Sequence, residues 1–153
     1  MKTPILREGH NCVRRSRVDR LAVLVDADQY YQAFFAATRA AERSINMLAW
    51  EVDPALGLGR IRRHYPDSLR DFLRSLLDEK PQLRVSVQGW RAPRYIMFGR
   101  EKWAALKWNL GQRRLSFRQV GHTHVYGSHH EKAAVVDGEC GFVGGMDVTR
   151  KRW

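Results

Sequence analysis

The feature that most constrains this chain is a helical-period segment enclosed by two strand-like runs. Leu69, Phe72, Leu73, Leu76 and Leu77 recur on one helix face, with Arg70, Arg74 and Asp78 elsewhere. Pro66–Asp67 predicts where that helix starts and Pro81 where it ends. SINMLAWEV at 44–52 precedes it and reads as a strand. LRVSVQGW at 83–90 follows, with Leu83, Val85 and Val87 alternating onto one side. Upstream, Tyr30, Phe34, Ala37 and Ala41 repeat the helical spacing, Asp28 is placed to cap that helix, and LAVLV at 21–25 reads as a strand before it. Downstream, residues 99–109 predict a helix that aligns Trp103, Leu106 and Leu110, and LSFRQV at 115–120 predicts a short strand. AAVVD at 133–137 and GFVGG at 141–145 predict paired strands joined by a tight Asp137–Gly138 turn. Alternation of strands with helices predicts an α/β layered domain. Residues 1–20 read as a basic arm and 21–153 as the domain.

Charge narrows the partners. Lys and Arg number 27 against 16 Asp and Glu, a formal net charge of +11. Such a surface attracts anions: nucleic acid, phospholipid headgroups or a phosphorylated metabolite. Charge does not choose among them. The two cysteines, Cys12 and Cys140, form no CxxC pair, which argues against a zinc ribbon or a thioredoxin-like site. Cys140 lies in an apolar stretch and reads as a core residue. No apolar run is long enough to span a bilayer, and the first residues carry no apolar leader core, so the expectation is a cytoplasmic protein, peripheral to the membrane at most.

The stretch GSHHEKAAVVDGECGFVGGMD at 127–147 carries the chemistry. His130 and Lys132 are two apart, so on a strand their side chains leave one face. An imidazole beside an ammonium suits a phosphodiester. Lysine neutralises non-bridging oxygens, while a neutral histidine attacks phosphorus or moves a proton. Asp137 closes the segment and is placed to hold a ring or a backbone N–H. Gly144 and Gly145 allow close backbone approach and can turn N–H groups toward a phosphate. Gly127 and Ser128 let the histidine segment turn. Taken alone, the spacing equally fits a strand start with solvated polar residues.

This stretch resembles the phospholipase D superfamily, whose signature is HxKxxxxD followed by a Gly-rich segment. His130, Lys132 and Asp137 fall on that triplet; Gly144, Gly145 and Asp147 fit the GGxD form, although many members carry Asn at the last position. LVDADQYYQAFFAATRAAERSINMLAWEVD and LRDFLRSLLDEKPQLRVSVQGW resemble the preceding strand–helix–strand and helix–strand units. The resemblance covers residues 20–153. It implies a mixed β-sheet flanked by helices and a two-step reaction through a phosphohistidine, with no metal and no cofactor. His130 would be the nucleophile, Lys132 the phosphate clamp and Asp137 a support. Where many relatives have a Trp–Asp pair, this chain has Gln88, Gly89 and Trp90, to which no catalytic role is carried.

The reaction needs two such motifs facing each other, and this chain has one. It resembles the N-terminal half of two-motif members of the phospholipase D or cardiolipin-synthase-like type. The second half-site would come from a C-terminal part or a second copy. Phospholipid is preferred to nucleic acid because the GGMD form resembles the lipid-acting branch. The alternatives are a homodimeric nuclease and an inactive nucleic-acid- or membrane-binding module. His122 and Ser128 are expected to line the approach to the phosphate. His122 and His124 lack a third ligand at convincing spacing, so a zinc site is not expected. Basic residues from Arg91 to Arg114 interleave with Trp90, Tyr95, Trp103 and Trp108. That mixture fits a nucleic-acid backbone, an anionic membrane surface or an amphipathic helix burying its aromatics.

Overall fold

A computed structural model describes residues 5–58, 68–90, 108, 111–121 and 130–149. The elements run α1 (Asp26–Ala40), β1 (Ser44–Ala49), α2 (Leu69–Glu79), β2 (Arg84–Trp90), β3 (Leu115–Val120), β4 (Ala133–Val136) and β5 (Cys140–Val143). The strands form one mixed sheet in the order β3-β2-β1-β4-β5. β1, β2 and β3 are parallel neighbours; β4 pairs antiparallel with β1 and with β5.

Register explains the core. Ile45 pairs with Val85 and Val85 with Leu115; Met47 pairs with Val87 and Val87 with Phe117. On the other flank Ile45 pairs with Val136 and Met47 with Ala134. Paired residues share a face, and all eight are buried in one cluster with the helices. The opposite face carries Asn46, Gln88, Arg118 and Val135, all exposed. The five predicted apolar residues of α2 are fully buried, each contributing about 2 kcal/mol by transfer from water. Ser68 starts that helix: its Oγ accepts the Asp71 N–H at 3.2 Å and donates to the Asp71 carboxylate at 2.6 Å.

α1 buries a broader face than the predicted one: Phe34 and Ala41, the latter just past the helix end, are buried as read, and Tyr30 and Ala37 pack against the core. Tyr31, Phe34, Phe35 and Thr38 point inward, with Tyr30 and Ala37 only half-buried. Phe35 meets Phe72 edge-on at 5.2 Å, and Phe34 meets Phe142 at 5.8 Å. Helix capping also differs. Asp26, at φ 67°, accepts the Gln29 N–H at 3.2 Å, whereas Asp28 lies within the first turn and accepts from Gln32. LAVLV is not a strand: no strand among the described residues pairs with it, and Leu21 and Val23 are 90% and 85% exposed. Cys140 is exposed rather than core, because it opens the edge strand β5, of which only Phe142 is covered. The predicted turn forms with Asp137 at φ 55° and Gly138 at φ 76°, the left-handed pair a tight hairpin requires.

Part of the positive charge is structural. Lys80 Nζ donates to the Arg39 and Ala41 carbonyls at the end of α1. Arg114 donates to the Leu77, Lys80 and Leu83 carbonyls at and beyond the end of α2. Both place a cation where a helix leaves carbonyls unpaired. The 99–109 helix lies outside the described residues apart from Trp108, which is buried and stacks on Phe117 at 5.6 Å.

Candidate active site

Antiparallel pairing brings the start of β4 to the carboxyl ends of β1 and β2, since Ala133 pairs with Leu48. Open α/β sheets bind ligands at such strand ends. Lys132 immediately precedes β4 and turns inward. Its side chain is 4% exposed, beside an Asp147 side chain at 2%. Lys132 Nζ lies 3.5 Å from Asp147 Oδ2 and donates to the His130 carbonyl at 3.0 Å. Burial of a lone ammonium is costly, so the carboxylate is what allows Lys132 to sit there charged.

Asp147 is itself held from three sides. Its Oδ1 accepts the N–H groups of Trp50 at 3.1 Å and Glu51 at 3.2 Å, where the chain leaves β1. The Tyr31 hydroxyl donates to the Asp147 carbonyl at 2.9 Å. Burial first, then the charges of the Tyr31 hydroxyl and the Asp147 carboxylate, push the neighbouring Tyr30 hydroxyl up to about 12. Asp147 thus ties α1, β1 and the segment after β5 to the Lys132 ammonium.

His130 is exposed at the mouth of this arrangement. Its ring lies 6.0 Å from Trp50, which stacks on Trp90 at 5.6 Å. Trp90 Nε1 has no hydrogen-bond partner among the described residues. A hollow of about 300 Å³ opens beside the stack, lined by Leu48, Ala49, Gln88, Gly89, Trp90, Val120 and Glu131. Sequence reasoning gave Trp50 no role. The signal was there in register: Trp50 and Trp90 each follow a paired position, Ala49 and Gly89, so a parallel β1–β2 pair makes them neighbours.

Asp137 is not part of this cluster. It stands at the other end of β4, about 16 Å of extended chain from Lys132. Its carboxylate accepts the N–H groups of Glu42 at 2.8 Å, Arg43 at 2.8 Å and Ser44 at 2.7 Å. Burial pushes this carboxyl up, but the three donors and the Arg43 charge outweigh it and hold it below its ordinary value. Gly144 N–H donates to the Lys132 carbonyl at 3.3 Å, extending the β4–β5 ladder rather than facing a ligand. A side chain at Gly144 or Gly145 would meet nothing within 4 Å, so neither glycine is required by contacts among the described residues. His122 and Ser128 lie outside the described residues. Among the described residues no cluster of three His, Cys, Asp or Glu side chains is arranged to hold a metal. No described helix is long and apolar enough to cross a membrane.

Fold and geometry together define an α/β domain with a buried Lys–Asp pair and an exposed histidine at the carboxyl ends of its parallel strands. The chain is similar to phospholipase D C of Dictyostelium discoideum, 27% identical over 143 residues, covering 84% of this chain and 8% of that one. Phospholipase D A of the same organism is 29% identical over 151 residues, 94% of this chain and 11% of that one. Phospholipase D zeta 1 of Arabidopsis thaliana is 32% identical over 142 residues, 84% of this chain and 12% of that one. No family profile matches the chain. These similarities, at 27% to 32% identity over most of this chain, support the phospholipase D superfamily. The chain spans only 8% to 12% of the length of these curated relatives.

Proposed function

We propose that this chain supplies one half-site of a phospholipase-D-type phosphodiesterase or phosphatidyltransferase that acts on phospholipids. The observation that carries the reading is the buried Lys132 ammonium, held by Asp147 beside an exposed His130. Among the described residues, Asp147 and the His130 carbonyl account for two of the ammonium's three N–H groups, and the third is assigned to a non-bridging phosphate oxygen. A neutral His130 nitrogen attacks phosphorus; the N–P bond forms as the bond to the leaving oxygen breaks. A histidine of the second half-site protonates that oxygen. It then takes a proton from water or an acceptor alcohol, whose oxygen displaces His130 and restores it. Lys132 offsets the charge that accumulates on phosphorus oxygens in both steps. Asp137 acts at a distance by fixing the strand that carries Lys132. The second half-site comes from a further part of a longer chain or from a second copy.

The test is turnover of a chromogenic phosphodiester and of phosphatidylcholine vesicles, with EDTA present, across protein concentrations and beside His130→Asn. Activity that rises faster than linearly with protein and disappears in the variant supports a site assembled between two chains. Activity that persists in His130→Asn would overturn the assignment. Cleavage of nucleic acid with no action on vesicles would move the substrate from lipid to nucleic acid.

A further inference from the structure

Seven of the ten large hydrophobic side chains exposed among the described residues lie between residues 5 and 25. Ile5, Val13, Leu21 and Val23 are 85% to 98% exposed. The same stretch carries Arg7, Arg14, Arg15, Arg17 and Arg20 against Glu8 and Asp19, five cations to two anions, all exposed. It contains no Phe, Tyr or Trp. The stretch forms no helix or strand, yet it has local order. Asn11 Oδ1 accepts the Arg7 N–H at 2.7 Å, Asn11 Nδ2 donates to the Ile5 carbonyl at 2.8 Å, and Glu8 accepts the Arg15 N–H at 2.5 Å.

The arm's position is set by α1. Val25 N–H donates to Gln29 Oε1 at 2.9 Å, and α1 begins at the next residue. Within two turns Tyr30 touches Phe142 and Tyr31 bonds the Asp147 carbonyl. The arm therefore leaves the domain at the end where His130 and Lys132 lie.

We propose that residues 5–25 dock the protein on an anionic lipid surface. Bare aliphatic side chains interspersed with arginines match the boundary between acyl chains and acidic headgroups. The aliphatics enter the former and the guanidiniums pair with the latter. A nucleic acid would satisfy the arginines but leave seven aliphatic side chains in water, with His10 as the one ring in the arm for a base to stack on. A second copy would cover the aliphatics but bring two sets of five arginines together. The benefit to catalysis rests on the lipid reading above, because a docked arm presents headgroups to the end that carries His130. The docking itself does not depend on that chemistry.

The experiment is co-sedimentation of the whole chain with phosphatidylglycerol–phosphatidylcholine vesicles and with phosphatidylcholine alone. Two variants accompany it: R14S/R15S/R17S/R20S and L21S/V23S. All six side chains are exposed, so the melting temperatures should match wild type. Wild type should pellet with the acidic vesicles in a salt-sensitive way. The arginine variant should bind about a hundredfold more weakly or worse, and the apolar variant about tenfold more weakly. His130→Asn should bind as wild type, which separates docking from turnover. Failure of wild type to pellet, or variants that bind like wild type, would overturn the proposal. So would an L21S/V23S protein that loses self-association while its vesicle binding stays intact.

Discussion

The two ends of β4 use charge in opposite ways. At the Asp137 end a carboxylate meets three backbone N–H groups and every distance is short. At the Lys132 end an ammonium stands 3.5 Å from its carboxylate, nearly closed off from water, with an exposed imidazole two residues away. The first arrangement is closed and structural: it fixes the turn between α1 and β1 to the hairpin. The second gives the ammonium two partners among the described residues, Asp147 and the His130 carbonyl. Two residues five apart in the sequence therefore do unrelated work, and the strand between them is what relates the two.

The largest stability effect should come from the dry end. Lys132→Met strands a buried Asp147 charge and should cost about 3–5 kcal/mol, read as a lower denaturant midpoint at unchanged slope. Lys132→Arg keeps a cation and should recover part of it. Asp137→Ala comes next. It removes three hydrogen bonds and puts a β-carbon side chain without a polar group at φ 55°, a loss of about 2–3 kcal/mol because the freed N–H groups can rehydrate. If Asp137→Ala proves more damaging than Lys132→Met, the contrast between the ends is inverted.

Acid titration sharpens the same contrast. Asp137 is held below its ordinary value in the folded protein, so its contribution is full above the unfolded carboxylate range and is lost as pH falls through the folded value. Melting curves of wild type and Asp137→Asn should differ at neutral pH and converge in acid. A constant difference would mean the charge plays no part. At the other extreme, Tyr30 is raised to about 12. Its contribution is full below the unfolded value of 10.0 and declines between there and about 12. Tyr30→Phe should flatten the alkaline limb of the stability profile.

Much of this was legible because periodicity is local. The α2 face, β3 and the Asp137–Gly138 hairpin each depend on a few adjacent side chains, and each formed as read. What failed depended on distant partners. LAVLV has the composition of a strand, but no described strand takes it up, and composition does not specify a neighbour. On α1, Tyr30 and Tyr31 are equally plausible inward residues until Asp147 selects Tyr31 by accepting its hydroxyl. His130 and Lys132 were visible as a pair, whereas their separation from Asp137 required knowing that the intervening residues are fully extended. The Trp50–Trp90 stack needed the parallel register of β1 and β2.

The smallest stability effect belongs to the residue with the largest assigned role. His130 is exposed, and the ring contact described for it is with Trp50 at 6.0 Å. His130→Asn should therefore change stability by no more than about 0.5 kcal/mol. On the proposed mechanism the same substitution removes the nitrogen that forms the N–P bond, so acid-labile phosphate labelling should vanish altogether. A residue that matters to folding cannot show that split, because losing it would move both readouts. Labelling that survives in a variant with an unchanged melting curve would take the nucleophile away from His130 and leave Lys132 and Asp147 as a buried ion pair of purely structural use.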